Sequence, residues 1–569
     1  MGKFLRVNMN EKNISLEDIQ EEYTYYGGRG LVAKILNNEV NAACDALGPE
    51  NKLIVCPGLI TGTIAPSSGR LSIGGKSPLT GTIKEANAGG IVAQQLAKLD
   101  IKAIIIEGQP EIKSWHILKI SKENVELLPG EKYSNMNNYQ LNDELQKVYG
   151  DHVGIISIGG AGERGYKNSS IQVTGANRYP SRAAARGGLG ALMGSKGLKA
   201  IILDVKGPLT AQYADKEKFT AAARNYIQGI KDNPVSGQAM PALGTAVLVN
   251  MVNAMGALTT RNYSSGRFED AESISGEKLV EIQSKRGGKV GHSCHPGCAI
   301  SCSNIYNNDK GEYLTSGMEY ETIALVGANC GIKSLDTIAA IDRMCDDFGL
   351  DTMDTGITIG ICMEAGKLAF GDDEGALALV QEMIDGTEFG KILGHGPEYV
   401  GKKLGVKRIP TVKGQGMAGY DPRALKGTGV TYATSPMGAD HTAGNALGNP
   451  TVDPIKKEGQ VDLSTNLQVG MATFDNLGMC IFAGFCTDDP KNVGYLLDMM
   501  TARFGGEWTV DRLFGIGVQT IAMEKQFNKA AGFTDKDNRL PDFVYNEPIS
   551  PSNSVFDFTD EELNLAIPF

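Results

Sequence analysis

The sequence lacks the features that mark several large classes of protein. Its formal net charge is −11, and it has no basic face of the kind that duplex-binding proteins carry. No run of about 20 predominantly apolar residues is present, because prolines, glycines and amides break the uncharged stretch 233–260, which instead predicts a buried helix pair with turns. The opening residues, MGKFLRVNMNEKN, hold no apolar core of signal-peptide length. We therefore expect a cytoplasmic protein that binds neither nucleic acid nor a membrane.

Disorder, low-complexity tracts and a disulfide framework are also absent. An apolar share of 41% excludes disorder, and 569 residues predict roughly three or four core-bearing units. Ten cysteines in a cytoplasmic chain of this size are not a disulfide framework, and no repeat occurs at a solenoid period. Glycine is abundant instead, with 72 residues and no Gly-X-Y period. Many turns and close backbone approaches are expected.

The distribution of apolar residues divides the chain into a β-rich part and a helical part. Short apolar or alternating runs such as KLIVCPG, RLSIGG and GIISIGG occupy the first two hundred residues. After Lys206, segments such as LDTIAAIDRMCDDFG have helical spacing. The sequence predicts an α+β protein with a β-rich domain at 1–208 and two mostly helical domains at 209–411 and 412–569.

Three cysteines crowd into the segment GHSCHPGCAISCSN, at Cys294, Cys298 and Cys302. Pro296 and Gly297 break any helix there, so the segment predicts a loop that can wrap one face of a 4Fe-4S cluster. The fourth thiolate would then come from elsewhere in the chain. The spacing C-x3-C-x3-C differs from the C-x3-C-x2-C of radical enzymes that cleave S-adenosylmethionine, which argues against that class.

Zinc is the competing interpretation of the cysteine loop, and no metal is a third. His292 or His295 could complete a tetrahedral zinc site with the thiolates. Zinc motifs usually offer two paired groups of ligands, however, and only one such group is present. The cluster interpretation is therefore favoured.

A literal G-x-G-x-x-G occurs at 160–165, after the strand-like run HVGIISIG. A dinucleotide fingerprint also needs a following helix and an acidic residue about 20 positions on. Here YKNSSIQVTGAN reads as another strand, and Arg182 and Arg186 stand where the acid should be. We interpret the motif as a tight turn.

Glycine-rich segments that carry basic residues occur three times in the β-rich domain. They are SSGRLSIGGKSPLTG, EANAGG with its neighbours, and PSRAAARGGLGALMGSKGLKA. Backbone N–H groups in glycine turns beside guanidinium groups hold the phosphates of bulky anionic cofactors. Three such segments together favour a phosphate-bearing cofactor over ordinary turns.

Two related hexads lie far apart, DDFGLD at 346–351 and DNLGMC at 475–480. Both have the form D-x-x-G-[LM]-[DC], and both stand where helical segments end or begin. Repeated use of one short pattern suggests two copies of one ligand, held pseudo-symmetrically.

These segments, taken in order, resemble the tungsten-containing aldehyde ferredoxin oxidoreductases along essentially the whole chain. The resemblance also rests on GKFLRVNM, NKLIVCPGLITGTIAPSSGR, GMEYET, AGYDPR and ATSPMGADH. It implies a metal bound by the dithiolenes of two pterin cofactors lying on the β-rich domain, beside one 4Fe-4S cluster. A magnesium ion is expected to link the two pterin phosphates.

The resemblance assigns residues to these groups. The cluster ligands would be Cys294, Cys298, Cys302 and Cys480, with Cys486 a competitor for the fourth position. Asp351 and Asp475 would bind the pterin rings, and Arg70 would bridge cluster and pterin. The phosphate-binding segments would contribute Asn87, Gly89, Arg182, Ala183, Arg186 and Gly187.

Catalysis would involve Glu319 of GMEYET and His441 of GADH, with Glu321 a second candidate for the acid. A buried glutamate of raised pKa can accept a proton from the water or hydroxide that adds to a carbonyl. A histidine N–H can polarise the aldehyde oxygen. The resemblance thus implies oxidation of aldehydes to carboxylic acids, with electrons passing to ferredoxin.

The chain departs from the best-known family spacing, C-x2-C-x3-C. Its C-x3-C-x3-C with HPG inside resembles a bacterial branch, which implies an iron–sulfur or nicotinamide-linked partner subunit besides ferredoxin, and a homodimer or hetero-oligomer. Two rival functions stay open: low-potential reduction of an aromatic acyl thioester on the same fold, and a cofactor-free scaffold. Tungsten and molybdenum are not distinguished by the sequence.

Overall fold

The computed structural model describes residues 2–112 and 114–569. It confirms the predicted α+β class, with a β-rich N-terminal part followed by helical parts. The last strand of the β-rich part ends at Asp204, and the first long helix after it begins at Lys216. The domain limits at 208 and 411 themselves stay a prediction.

The described part of the β-rich region forms two six-stranded sheets. The first sheet consists of β1 (Lys3–Asn8), β2 (Asn13–Asp18), β3 (Leu53–Pro57), β4 (Leu71–Lys76), β5 (Ile83–Ala88) and β6 (Ile101–Glu107), in the order β2-β1-β6-β3-β4-β5. The second consists of β7 (His116–Ser121), β8 (Val125–Pro129), β9 (Gly154–Ser157), β10 (Ile171–Val173), β11 (Arg182–Ala184) and β12 (Leu198–Asp204), in the order β11-β10-β9-β12-β7-β8.

The two sheets repeat one topology. In each, the first strand pairs parallel with the last, β1 with β6 and β7 with β12, and the other pairs are antiparallel. The segments IKAIIIE and LKAIILD occupy the equivalent strands β6 and β12. Lys102 and Lys199, equivalent in these segments, both donate to backbone carbonyls, at 2.9 Å to Thr24 and at 2.7 Å to Met136. The β-rich part is therefore an internal duplication.

Side chains on the two faces of each sheet pack into two different hydrophobic cores. On β6, Ile104 and Ile106 face a core shared by both sheets, whereas Ala103 and Ile105 face an outer core. Helix α1 (Gly28–Glu39) covers that outer face, and α3 (Asn138–Tyr149) covers the equivalent face of the second sheet. Successive side chains of a strand point to opposite faces of the sheet. A strand that is apolar at every position therefore contributes to the core on each face.

Short helices complete the β-rich part. They are α2 (Val92–Lys98), α4 (Gly160–Glu163) and α5 (Leu189–Ser195). Helix α4 covers the first four residues of the G-x-G-x-x-G segment as a single helical turn, and the predicted strand, β10, follows it. A Cβ on Gly160 would lie 2.2 Å from the ring of Phe348, which shows that this glycine permits close packing against the first hexad.

The remaining chain is mostly helical. Its helices are α6 (Lys216–Asp232), α7 (Met240–Leu243), α8 (Leu248–Ala254), α9 (Gly276–Arg286), α10 (Tyr320–Thr322), α11 (Leu335–Phe348), α12 (Thr352–Glu364), α13 (Asp373–Asp385), α14 (Glu388–Leu393), α15 (Pro397–Leu404), α16 (Lys426–Thr434), α17 (Gln460–Leu477), α18 (Pro490–Phe504), α19 (Val510–Ala530), α20 (Phe543–Asn546) and α21 (Asp560–Leu563). Two small sheets join them, β13 (Lys289–His292), β14 (Ser303–Asn307) and β15 (Tyr313–Ser316), and β16 (Thr411–Val412) with β17 (Gln415–Gly416).

Across residues 2–112 and 114–569, no single helix is long and apolar enough to cross a bilayer. Two bent pairs meet the length and composition criterion when taken together, Val235–Leu243 with Thr245–Ala254 and Tyr320–Cys330 with Leu335–Phe348. The first pair is the predicted helix pair in 233–260, and it breaks at Gly244, whose φ is +67°.

Glycines bring the β-rich part into contact with the second hexad. A Cβ on Gly58, after β3, would lie 2.0 Å from the backbone nitrogen of Gly478.

Gly58→Ala is therefore expected to destabilise the protein by about 1–3 kcal/mol through overpacking. Gly515→Ala, inside α19 with open space at its Cβ, is the matched control and should stabilise by about 0.5–1 kcal/mol. Thermal unfolding of both variants checks this, and equal melting temperatures would contradict it.

Candidate functional site

Both hexads mark helix ends, as the sequence predicts. Helix α11 ends before Gly349, and α17 before Gly478, each glycine being left-handed with φ of +85° and +75°. Asp351 then begins α12, where its carboxylate accepts a hydrogen bond from the Met353 N–H at 2.9 Å. Asp475 lies in the last turn of α17. Each hexad thus places an aspartate at a helix terminus, and the two hexads lie far apart in the sequence.

Aligning the hexads position by position pairs Asp346 with Asp475, and Asp351 with Cys480. Asp346 is buried, and no side-chain hydrogen bond to its carboxylate is found within the described residues. Burial, together with the neighbouring Asp342, raises the pKa of Asp346 well above its usual value. Sequence reasoning overlooked Asp346, although the alignment of the hexads could have found it.

The loop Cys294–Cys302 brings thiols together beside the second hexad. The ligand atoms of Cys294, His295 and Cys298 all lie within 4.8 Å of one another. Backbone hydrogen bonds fix the loop: Ser67 donates to the Gly297 carbonyl at 2.8 Å, and the Cys480 N–H donates to the Ser67 carbonyl at 2.8 Å. Residue 67 therefore connects the cysteine loop with the segment that carries Cys480.

Cys480 and Cys486 differ in their surroundings. Burial raises the pKa of the Cys480 thiol to about 11, against the effect of Arg70 and together with that of Cys294. The charge of Cys480 likewise contributes to the raised pKa of Cys302. Cys486 instead lies 3.4 Å from the Ala483 carbonyl, and Tyr226 is the side chain that most affects it. Hydrogen bonds through Ser67 thus connect the Cys480 backbone, and not that of Cys486, with the cysteine loop, whereas the ligand atoms that lie within 4.8 Å of one another in the described chain are those of Cys294, His295 and Cys298.

His295 keeps the zinc alternative open. Its Nδ1 lies 3.1 Å from the Cys294 sulfur, its Nε2 has no partner in the described chain, and the residue is fully buried. A Cβ on Gly69 would lie 2.5 Å from the His295 ring, so the ring is tightly enclosed. A 4Fe-4S cluster would need the four predicted cysteine ligands, beside Arg70. A zinc site would need only Cys294, His295 and Cys298 from this part of the chain.

Arg70 connects the cysteines with the second hexad. Its guanidinium donates to the side chain of Asn87 and, at 3.2 Å, to the Asn87 carbonyl. Burial lowers the pKa of Arg70, but the neighbouring Cys294 and Cys480 outweigh this and raise it. Asp475 adds to that effect. At Gly89, a Cβ would lie 3.3 Å from the Cys294 sulfur, so this glycine borders both groups.

Arg182 is a buried cation with unused donors. Its Nη1 donates to Ser303 at 2.9 Å and lies 3.8 Å from Glu319, whereas Nε and Nη2 have no partner among the described residues. Ala183 follows it on β11, an edge strand that lies against β5, which carries Asn87. Unused guanidinium donors in a buried position are suited to an anion that the chain itself does not supply.

Arg186 and Gly187 are occupied by protein groups. Arg186 donates to Asp351 at 3.3 Å, to Asp354 at 2.9 Å and to the Ala439 carbonyl at 2.8 Å. The Gly187 carbonyl accepts from Ser77 at 2.7 Å. Arg186 thus anchors the first hexad, and its predicted contact with phosphate stays a prediction.

Glu319 and His441 have different partners. Glu319 accepts from Thr245 at 2.6 Å, and burial raises its pKa although 33% of its side-chain surface stays accessible. The His441 Nε2 lies 3.3 Å from Glu321, and its Nδ1 has no hydrogen-bond partner in the described chain. Glu321 accepts from the Gly419 N–H at 2.7 Å, and burial raises its pKa.

A buried ion pair adjoins His441. Lys84, whose side chain is fully buried, donates to Asp440 at 3.1 Å, and Asp440 Oδ1 lies 4.0 Å from the His441 Nδ1. Although burial opposes ionisation, Lys84 and Arg186 hold the pKa of Asp440 well below its usual value. Sequence reasoning missed this pair, although Asp440 stands next to His441 in GADH.

Family models for the two parts match nearly the whole chain. The model described as the aldehyde ferredoxin oxidoreductase N-terminal domain matches residues 4–205, and that of domains 2 and 3 matches residues 221–565. The chain belongs to the aldehyde ferredoxin oxidoreductase family. It is accordingly an oxidoreductase, as predicted.

Individual relatives in this family agree. The tungsten-containing aldehyde ferredoxin oxidoreductases of Pyrococcus furiosus and Thermococcus kodakarensis are 33% and 34% identical, with 96% of this chain and 92% of each relative covered. The aliphatic sulfonate oxidoreductase WOR-like subunit of Pyrococcus furiosus is 28% identical over 78% of this chain and 75% of its own. The predicted family is confirmed, and tungsten is named for the first two of these relatives.

A solved structure shares the fold. The active-site complex BamBC of benzoyl coenzyme A reductase, bound to 1,5-dienoyl-CoA, superposes with a TM-score of 0.80 at 18% identity. The match covers 99% of this chain and 92% of that one. At this identity the likeness concerns the fold alone.

Proposed function

We propose that this family member oxidises aldehydes to carboxylic acids at a tungsten or molybdenum centre held by two pterins, and passes electrons through one 4Fe-4S cluster. The observation that carries the proposal is the position of Arg70 between the cysteine loop and the second hexad: its backbone N–H donates to the Gly478 carbonyl at 3.1 Å, and its Nη1 and the Cys294 sulfur lie 3.4 and 3.3 Å from the same point beside Gly89. Tungsten-containing aldehyde ferredoxin oxidoreductases, 33–34% identical over 96% of the chain, support the choice of reaction.

The residues present fit these cofactors. Four free thiols suit an iron–sulfur cluster, and the unpartnered Nε and Nη2 of Arg182 suit a pterin phosphate. Asn87 and Ala183 stand on the edge strands of the duplicated sheets, which suits a magnesium ion between two phosphates. Asp475 and Asp346 would face the pterin rings. Asp351, which the resemblance assigns to the same role, would do so beside Asp346.

When bound, the metal centre would accept two electrons, which the cluster would pass on singly. The chain's own contribution is proton transfer and polarisation. Glu319, with its raised pKa, would accept a proton from the attacking water or hydroxide. The N–H of His441, oriented through Glu321, would polarise the carbonyl oxygen of the aldehyde.

Electrons would leave near the cysteine loop, because Pro296 and Gly297 are exposed and Cys298 is partly exposed. Ferredoxin or an iron–sulfur subunit would dock there as the acceptor. A homodimer or hetero-oligomer is part of the same proposal.

Protein purified without oxygen should contain about four irons and one tungsten or molybdenum per chain. It should also reduce a redox dye when simple aldehydes are added. Protein with zinc in place of iron would contradict the cluster, and protein without metal or pterin would point to the scaffold.

A second candidate reaction is low-potential reduction of an aromatic acyl thioester. It is favoured by the fold shared with the benzoyl coenzyme A reductase complex over 99% of the chain. Full cofactor content with no aldehyde-dependent dye reduction, together with oxidation of a reduced dye by an aromatic acyl thioester, would select it.

A further inference from the structure

Asp475 is connected to a buried ion pair that the proposed reaction does not use. Arg29, in the first turn of α1, donates to both carboxylate oxygens of Glu524 on α19, at 2.7 and 2.8 Å. Its remaining nitrogen, Nη1, lies 3.5 Å from Oδ2 of Asp475 on α17. Arg29 and Glu524 are each 1% exposed. One guanidinium therefore joins three helices from distant parts of the chain.

Small residues permit this junction. A Cβ on Gly28 would lie 2.0 Å from the Asp475 carbonyl oxygen, and one on Gly30 would lie 2.0 Å from the side chain of Asn476. Asn476 in turn donates to Thr520 of α19 at 2.9 Å. Helix α1 is thus pressed against the second hexad, with Arg29 between two carboxylates.

The ion pair is poorly explained by stability alone. Removing two charges from water costs several kcal/mol, so a buried pair is often no more stable than packed apolar residues. The bidentate bond instead fixes the guanidinium plane, and with it the direction of Nη1. Oδ1 of Asp475 has no hydrogen-bond partner in the described chain, so the arginine engages one oxygen and leaves the other for a ligand.

We propose that Arg29 and Glu524 are positioning residues that hold the Asp475 carboxylate in the orientation in which its free oxygen binds a pterin. The inference rests on the proposed function, which places a pterin at this hexad. It implies that pterin binding depends on Glu524, a residue without a direct contact to Asp475.

Glu524→Gln tests this, because glutamine keeps the shape but loses the charge that orients Arg29. Replacing the hydrogen-bond partners that orient metal ligands changes metal affinity or activity by about 10–100-fold, and we expect an effect of the same order on pterin affinity here. We expect pterin released from the anaerobically purified variant, measured by fluorescence per chain, to fall from about two to about one after extensive dilution, because only the site at Asp475 loses affinity. Because removing one partner of a buried ion pair also destabilises a fold, pterin is counted per folded chain and the melting temperature of each purified variant is recorded beside it.

Glu39→Gln is the matched control. Glu39 lies on the same helix and accepts two hydrogen bonds from Arg6, at 2.8 and 2.7 Å, away from the hexad. It should keep the wild-type pterin content. Arg29→Lys retains the charge without the planar fork and should lose pterin as Glu524→Gln does, which keeps the test available if one variant fails to fold.

Equal pterin content in Glu524→Gln and Glu39→Gln would overturn the proposal. An equal loss in both, accompanied by lower melting temperatures, would also overturn it, since the pairs would then be structural. Failure of the proposed function is distinct. Wild-type protein with two pterins but no aldehyde-dependent dye reduction would refute aldehyde oxidation and leave the pterin comparison intact.

Discussion

Cys480→Ala is expected to lose most of its iron, whereas Cys486→Ala keeps it. Cys480 is held by a hydrogen bond to the Ser67 carbonyl, and Ser67 is also bonded to the cysteine loop. Without its thiolate, a 4Fe-4S cluster would lack one of four ligands. Iron analysis and the cluster absorbance of anaerobically purified variants provide the measurement.

Cys486 is a close control for this substitution. It is equally buried, lies six residues further on, and contacts Ala483 and Tyr226 rather than the loop cysteines. Iron loss in Cys486→Ala alone would reassign the fourth ligand. If both variants bound zinc in the wild-type amount and neither held iron, the site would be the zinc site of Cys294, His295 and Cys298.

Glu319→Gln and His441→Asn should each lower kcat by about 100-fold or more while metal and pterin are retained. Glu321→Gln should resemble His441→Asn, because the His441 Nε2 lies 3.3 Å from the Glu321 carboxylate. The double variant of Glu321 and His441 should then lose little more than either single one, since groups that act as a unit are not additive.

The pH dependence follows from the raised pKa of Glu319. A base acts only when ionised, so activity should fall as the pH drops through that raised pKa, above the usual range of a glutamate. Glu319→Gln should remove this acid limb.

His152→Asn is the control for these losses. His152 lies 2.8 Å from Asp204, at the end of the inner strand β12 of the second sheet, and its substitution should leave kcat unchanged. If Glu319→Gln and His441→Asn lost cofactor together with rate, both residues would be structural rather than catalytic.

The structure distinguishes site residues that the sequence motifs alone could not tell apart. From the sequence, Glu319 and Glu321 differ only by position in GMEYET. In the fold they contact different residues: Glu319 accepts a hydrogen bond from Thr245, and Glu321 lies beside His441. Similarly, Arg182 and Arg186 stand in one glycine-rich segment and look alike in the sequence, yet Arg186 is used by Asp351 and Asp354 whereas Arg182 keeps two nitrogens without a partner in the described chain.

The sequence by itself determined the α+β class, the change from strands to helices near residue 206, the cysteine loop and the helix ends at both hexads. Each of these depends on local chemistry: apolar periodicity, left-handed glycines and the spacing of thiols. The duplication of the two sheets was present in IKAIIIE and LKAIILD but is obvious only from strand order, because two similar heptads say little about pairing.

Only the tertiary structure decided which distant residues meet. Arg29 and Glu524 are 495 positions apart, and Lys84 and Asp440 are 356 apart. No periodicity or motif spacing encodes such a pairing, because it arises from helices and strands packing against one another. The sequence supplied the charged groups, and the packing of three helices and two sheets determined which of them neutralise one another and which remain free for a ligand.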